Sequence, residues 1–457
     1  MTELDPVLAI TSGLRTAYGE RRWVIAMDVL QAATAMVARL QAYGSTGCFV
    51  VAARRGTGVE PEAPYEVLGL PPMPMMEAIR TGEDALRALP LHVEAAIDAF
   101  DPELQAQVLG SIFSDGRPVA GRPFYGARPA AWQELEDKVV IDQVWDETDV
   151  ERAPAEVVPI DEGALRLAAE RLDRGAGTVW AGDASQGFHG GGAYTFSVQR
   201  GDDVEPVVAR LRTRSRTARV MPFLEGIPCS IHGIVLPHHV VVLRPAELVV
   251  LRGPKGFVYG RAATFWDPPT EDRAEMRRIA RRVGQHLRRT HGYRGAFTID
   301  GVLTEQGFRP TELNPRVGAA LGLMHPHIPF DLFNAALIER QPFDLFGAAL
   351  EATILASADR ERRGMLAFVL GRPINETVEH ALCFRGGRWV VAADGEVHDG
   401  IARVGPGSTG GYAALRLNPL TTPVGESVAP RAAAFAAWLD ETYGAGIGTL
   451  IPSLPLR

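Results

Sequence analysis

One stretch constrains this chain more than any other. Residues 293–316 read YRGAFTIDGVLTEQGFRPTELNPR, a strand, a turn and a second strand. Gly307 suits a left-handed position closing a three-residue loop, residues 305–307. Thr304 then pairs with Phe308, and counting outward sets Asp300 opposite Glu312. Directly opposed residues of an antiparallel pair share a face, with Cβ atoms about 5 Å apart. Asn314, two residues past Glu312, joins that face, while Leu313, Phe297 and Ile299 point the other way into a core. Two opposed carboxylates destabilise a sheet, and a cation between them reverses the sign. Two carboxylates and an amide oxygen are hard ligands, suited to Mg2+ that also carries substrate phosphates, with Mn2+ as an alternative. Arg316 follows, and its planar fork suits phosphate or carboxylate oxygens. A solvated acidic hairpin is the other reading of the same spacing.

The rest of the chain sets the frame for that hairpin. Its 457 residues exceed one ordinary core and call for two to four domains. A hydrophobic share of 46% with 22% charged residues is that of a globular protein. The net charge of −8 argues against a nucleic-acid partner, which needs a basic field to meet phosphates. No apolar run is long enough to span a bilayer. The start of the chain lacks a basic segment followed by an apolar block, and Cys48, Cys229 and Cys383 show no metal-like spacing, so a reducing cytoplasm is expected. Lysine occurs only at Lys138 and Lys255, so 45 of the 47 basic residues are arginine. Chemistry that needs an ammonium has two candidates.

The fold class expected is α/β in its α+β form. Residues 21–58 read as a βαβ start, with a helix closed by Gly44 and a second apolar strand running into GTG at 56–58. That triplet does not open a helix with a third glycine, as a dinucleotide fingerprint would. Residues 127–145 look helical. A proline-punctuated linker, residues 153–161, leads to a short helix and a strand within 177–183. Short β-like runs follow, including ARLRTRSR, where alternation sets Arg210, Arg212, Arg214 and Arg216 on one strand face. Residues 271–291 form an amphipathic helix with Met276, Ile279, Val283 and Leu287 inward and arginines on a solvated face. A helix, a β-rich stretch from 364 to 420 and a last helix complete the chain.

An acid, a strand-turn-strand and then Glu-x-Asn-Pro-Arg resembles the closing signature of the ATP-grasp superfamily. The resemblance covers residues 128–340, preceded by an N-terminal βαβ-type lobe (1–127) and followed by an extra β-rich lobe (341–457). It implies ATP as a substrate, with Asp300, Glu312 and Asn314 holding Mg2+ against its phosphates and Arg316 near the transferred group. Lys138, in LEDK, matches a lysine that reaches a phosphate. Gly190, Gly191 and Gly192, between two strands, resemble the mobile phosphate loop. Met221, Pro222, Phe223 and Leu224 match the hinge that reads adenine, with apolar side chains around the ring. The superfamily's second lysine is missing from residues 178–181, and Pro228 stands where a ribose-binding glutamate is common. Arg210 is the candidate drawn from the alternating arginines to replace that lysine, and Arg261 is a candidate second clamp on the reacting group.

The resemblance implies an ATP-dependent carboxylate–amine ligase working through an acyl phosphate, similar in order of parts to pheganomycin-type peptide ligases. Its partners would be a small carboxylate and an amine or peptide, with no nucleic acid and no membrane, in a chain compatible with a homodimer. Two rivals stand beside it: an ATP-binding relative without ligase turnover, and a nicotinamide-dependent oxidoreductase using the N-terminal βαβ.

Overall fold

The computed structural model describes residues 5–453, apart from 112, 115, 188, 189, 191 and 255. Helix α1 (Pro6–Tyr18) is capped by the Asp5 carboxylate, which accepts the Val7 N–H. Strand β1 (Arg22–Val29), helix α2 (Thr34–Ala42) and strand β2 (Gly47–Arg54) form the expected βαβ unit, with β1 and β2 in parallel register. Strand β3 (Tyr65–Val67), helices α3 (Met75–Arg87) and α4 (Leu91–Phe100) and strand β4 (Gln107–Gly110) complete a sheet of order β3-β2-β1-β4. Helices cover both faces, which is why Trp23, Val24 and Ile25 are all fully buried. The next element after GTG at 56–58 is the strand β3, so no helix N-terminus stands there to receive a pyrophosphate.

The helix expected across residues 127–145 is interrupted. Helices α5 (Ala130–Gln133) and α6 (Ile141–Glu147) flank a turn at residues 137–140. The Asp137 carboxylate makes that turn by accepting the Val139 N–H at 3.0 Å and the Ala184 N–H at 3.1 Å. Strand β5 (Glu156–Pro159) occupies the expected linker. Helix α7 (Glu162–Leu172), strands β6 (Thr178–Gly182) and β7 (Thr195–Val198), helix α8 (Glu205–Arg212) and strand β8 (Thr217–Pro222) follow. The strands form a small antiparallel sheet, order β5-β8-β6-β7. The arginine-rich run is therefore a helix end and a turn. Pro206 sits in the first turn of α8, where its missing N–H costs nothing, and Val208 and Leu211, three apart, bury one helical face. Alternating arginines mimicked a strand, but the apolar spacing decided.

A ten-stranded sheet carries the remainder. Strands β9 (Ile227–Val235), β10 (Val240–Gly253) and β11 (Gly256–Ala263) precede helix α9 (Thr270–Thr290) and the hairpin β12 (Gly295–Thr304) and β13 (Gly307–Asn314). Helices α10 (Leu321–Met324), α11 (Phe330–Ile338) and α12 (Gly347–Arg360) come next. Strands β14 (Gly364–Leu370), β15 (Val378–Arg385), β16 (Arg388–Val391), β17 (Gly400–Gly407) and β18 (Gly410–Leu417) and helix α13 (Ala429–Tyr443) finish the chain. The order is β13-β12-β9-β10-β11-β14-β18-β17-β15-β16, so the C-terminal strands continue the sheet through β11 and β14. Met276, Ile279, Val283 and Leu287 of α9 are buried as expected. Its arginines are not all solvated: Arg277 and Arg281 both bind Glu351 of α12, at 2.6 and 2.7 Å. The three cysteines are buried free thiols. Among the described residues no helix is long and apolar enough to cross a membrane.

Candidate active site

The hairpin delivers the expected facing pair by a different route. Its loop has two residues, with Thr304 paired to Gly307 rather than to Phe308. The register then slips between Asp300 and Gly301, where Gly301 faces Pro310 and Asp300 faces Glu312. One residue fewer in the turn and one extra residue at Thr311 cancel, a bulge restoring the alternation. Gly307 takes φ +98°, which only glycine adopts without strain. Leu313, Phe297 and Ile299 are fully buried in the core beneath.

Asp300, Glu312 and Asn314 meet on the face of the hairpin opposite that core, with Asn314 itself buried. The Asn314 amide nitrogen donates to Asp300 Oδ2 at 2.8 Å, and its oxygen accepts from Arg316 at 2.7 Å. Asp300 Oδ1 is buried without a hydrogen-bond partner. Burial first, then the charge of Glu312, push the Asp300 carboxyl up to about 7, while Arg316, Lys138 and Asn314 pull it down. Lys138 places its ammonium 2.9 Å from Glu312. An orphaned carboxylate oxygen opposite a second carboxylate fits a hard divalent cation. Asn314 offers its nitrogen to that side as placed, and a half-turn of its amide would present the oxygen. No group of three His, Cys, Asp or Glu able to hold a metal occurs among the described residues, so a cation here rests on two carboxylates and an amide.

Three participants carried no signal of their own in the sequence. Glu136, 6% exposed, accepts from Arg316 at 3.3 Å and is also paired with Arg128. It lies two residues before Lys138 in LEDK, so the turn that exposes the lysine buries the glutamate. The neutral His232 lies behind the pair, bonded to Thr298 at 2.8 Å and Ser230 at 3.3 Å, and burial lowers its pKa to about 3. Gly318 crosses over this histidine so closely that a Cβ would lie 2.2 Å from Thr298 Oγ1.

The remaining expected residues lie on other elements of the fold. Gly190 is buried, its N–H 3.2 Å from the Met76 sulfur of α3, and Gly192 takes φ +76°. Gly191 lies outside the described residues. Met221 and Pro222 end β8, and the Phe223 N–H donates to the Gly177 carbonyl at 2.9 Å. That bond removes Phe223 as an adenine donor and leaves Leu224, whose N–H has no backbone partner among the described residues. The Phe223 and Phe257 rings lie parallel within 8°, their centroids 6.3 Å apart. Arg210, in the last turn of α8, stands over the Tyr194 ring at 4.8 Å. Burial and the charges of Arg214 and Arg210 lower the pKa of Arg80, from α3, which joins them. The residue paired across the sheet with Ala181, at the end of the lysine-free strand, is Arg219, forked onto Asp142 at 2.8 and 2.9 Å. On β11 the Tyr259 hydroxyl lies within electrostatic reach of Arg261, Asp300 and Arg316. Phe257 and Tyr259 share one face of β11, and a register slip between Leu248 and Val250 interrupts the alternation before Arg261.

No family model and no curated protein sequence matches the chain. Solved structures do. An N5-carboxyaminoimidazole ribonucleotide synthetase in its ADP complex aligns over 93% of this chain and 98% of its own, with TM-score 0.53 and 12% identity. An L-amino acid ligase from Bacillus licheniformis aligns over 96% and 99%, with TM-score 0.52 and 12% identity. The fold is ATP-grasp. A third ATP-grasp match is the biotin carboxylase domain dimer of a Hydrogenobacter thermophilus 2-oxoglutarate carboxylase, with MgADP, ADP and bicarbonate, over 87% and 86% with TM-score 0.52 and 11% identity. At such identities the likeness is one of ATP-grasp architecture, and the chemistry rests on the residues of the cleft.

Proposed function

We propose that this chain is an ATP-dependent carboxylate–amine ligase, with amino acids or short peptides as substrates. The observation that carries the reading is the opposed pair Asp300 and Glu312, one oxygen orphaned, with Lys138 and Arg316 at its edges. The full-length alignment with an L-amino acid ligase supports the substrate class. Residues 1–127, 128–340 and 341–457 serve as substrate lobe, nucleotide lobe and extension.

Adenine enters between Phe223 and Phe257, against the hinge of Met221, Pro222, Phe223 and Leu224, with the Leu224 N–H as donor. Gly190 and Gly192 line the phosphates. Asp300, Glu312 and Asn314 would hold Mg2+ or Mn2+, which when bound neutralises phosphate charge. Lys138 exchanges Glu312 for a phosphate oxygen as nucleotide enters. A substrate carboxylate oxygen attacks the γ-phosphorus, the bond to the β-phosphate oxygen breaks, and ADP departs with the electron pair. An amine nitrogen then attacks the acyl carbon, phosphate leaves, and the nitrogen loses a proton to give the amide. Arg316, oriented by Glu136 and Asn314, and Arg261 stabilise the oxyanion that develops between these steps.

The test is ADP release by the wild-type chain across pairs of amino acids and dipeptides, with amide product identified by mass. Glu312→Ala should abolish turnover while leaving the fold intact by circular dichroism. Release of no ADP with any pair would leave the non-catalytic ATP-binding reading standing. Full activity in Glu312→Ala would remove the hairpin from the mechanism.

A further inference from the structure

Arg261 keeps a backbone conformation that residues with side chains rarely adopt. Its φ is +80°, beside a register slip in the β10–β11 pairing between Leu248 and Val250. Such strain concentrates where function requires it. The strand is closely packed beside it, since a Cβ on the preceding Gly260 would lie 3.0 Å from Val249 and 3.3 Å from Phe368. The guanidinium is held by neutral groups. Its Nη1 donates to Tyr412 Oη at 3.1 Å and to the Met365 sulfur at 3.1 Å. Neutral acceptors orient a cation without cancelling its charge, which is what a clamp on a developing oxyanion needs.

Tyr412 is itself firmly placed. It lies on β18, opposite Val369 of β14 and Gly405 of β17. A Cβ on Gly407 would come within 2.8 Å of the Tyr412 Cβ, so that glycine lets the strands close on the ring. The hairpin carrying Tyr412 is fastened at its tip to the far end of the N-terminal sheet. The Ser408 hydroxyl donates to Asp28 at 2.5 Å, and its carbonyl accepts from the Met73 N–H at 2.9 Å and from Arg54 at 3.1 Å. The Thr57 hydroxyl donates to the Pro406 carbonyl at 2.6 Å. The tip of the β17–β18 hairpin is therefore anchored four residues from the tyrosine that meets Arg261.

We infer that Tyr412 is a positioning residue for Arg261, so that the segment after residue 341 builds part of the acyl-transfer site. This rests on the ligase reading and on Arg261 as a clamp within it. Tyr412→Phe removes only the hydroxyl. In ADP release with a productive amino-acid pair, kcat should fall about 10-fold or more, the range for losing one hydrogen bond to a charged group. The KM for ATP should stay within about twofold, since the contact acts on the reacting group rather than on nucleotide binding. Arg261→Met should lower kcat by itself, and adding Tyr412→Phe to it should change nothing further, because the phenol acts through the guanidinium. Equal kcat in Tyr412→Phe and wild type overturns the inference alone. So does the same fold-loss in both Arg261 backgrounds, which would mark a merely structural tyrosine. A wild-type chain that releases no ADP with any pair overturns the ligase reading, and the inference with it.

Discussion

Lys138→Met should strengthen the binding of a bare divalent cation while weakening the binding of ATP. In the free protein the Lys138 ammonium lies 2.9 Å from Glu312, with the two side chains 15% and 23% exposed. A cation entering between Asp300 and Glu312 must displace that ammonium. A hydrogen bond between charged groups contributes about 1.5–3 kcal/mol, and solvent at this partly exposed pair favours the middle of the range. Removing a competitor worth about 2 kcal/mol tightens cation binding about 30-fold, at about 1.4 kcal/mol per decade. The same substitution removes the phosphate contact proposed for Lys138, so ATP should bind about tenfold or more weakly in the presence of the cation. Mn2+ is the convenient probe, with free metal counted by electron paramagnetic resonance and ATP binding measured by calorimetry. The titration belongs at pH 8, above the Asp300 carboxyl that burial pushes up to about 7. Mn2+ binding that is unchanged or weaker in Lys138→Met would refute the reasoning, because the lysine would then not occupy the cation's place.

Glu136→Ala removes the buried carboxylate that the half-buried Arg128 and Arg316 share, and urea unfolding should report a loss of about 1.5–3 kcal/mol, with Glu136→Gln retaining more. Glu247, buried on β10, accepts from the Ser427 hydroxyl at 2.5 Å and the Val428 N–H at 2.8 Å, and burial pushes its carboxyl up to about 7 from 4.5. A raised carboxyl contributes stability that is full below the unfolded value and is lost as pH rises through the folded one. The urea midpoint should therefore decline between pH 5 and pH 8 in the wild type, and decline less in Glu247→Gln. Phe223→Ala should weaken ADP by about 1–3 kcal/mol, the usual contribution of one aromatic face under a base, and leave Mn2+ affinity unchanged by calorimetry.

The hairpin was legible because its physics is local. A period-two face and two like charges across it leave few ways to pair, so Asp300, Glu312 and Asn314 met as expected even though the turn is one residue shorter than expected and the compensating bulge at Thr311 was not expected. The βαβ start was legible for the same reason. Arg210 and its neighbours misled because charge alternation says little when Val208 and Leu211 supply the burial. Glu136 stayed hidden because its role depends on Arg128, close in sequence, and on Arg316, distant in sequence and brought over it only by the fold. Tyr412 lies about 150 positions from Arg261, and nothing in glycine-rich strand sequence marks one tyrosine above another. His232 likewise reads as one more apolar-strand residue until Thr298 is set beside it.

The joining of β14 to β11 limits how this protein can be cut. A piece ending near residue 341 would leave β11 as a raw edge, its backbone donors and acceptors on the β14 side unpaired and the apolar residues beneath β14 bare. Raw edges of that kind recruit other chains. Removal of the extension should therefore yield aggregates instead of a minimal nucleotide-binding unit, and fusion partners belong at the ends of the whole chain. The same continuity makes the large sheet a fixed anvil. On the ligase reading, the loop between β6 and β7 of the small sheet reaches α3 where the Gly190 N–H lies 3.2 Å from the Met76 sulfur, a weak contact.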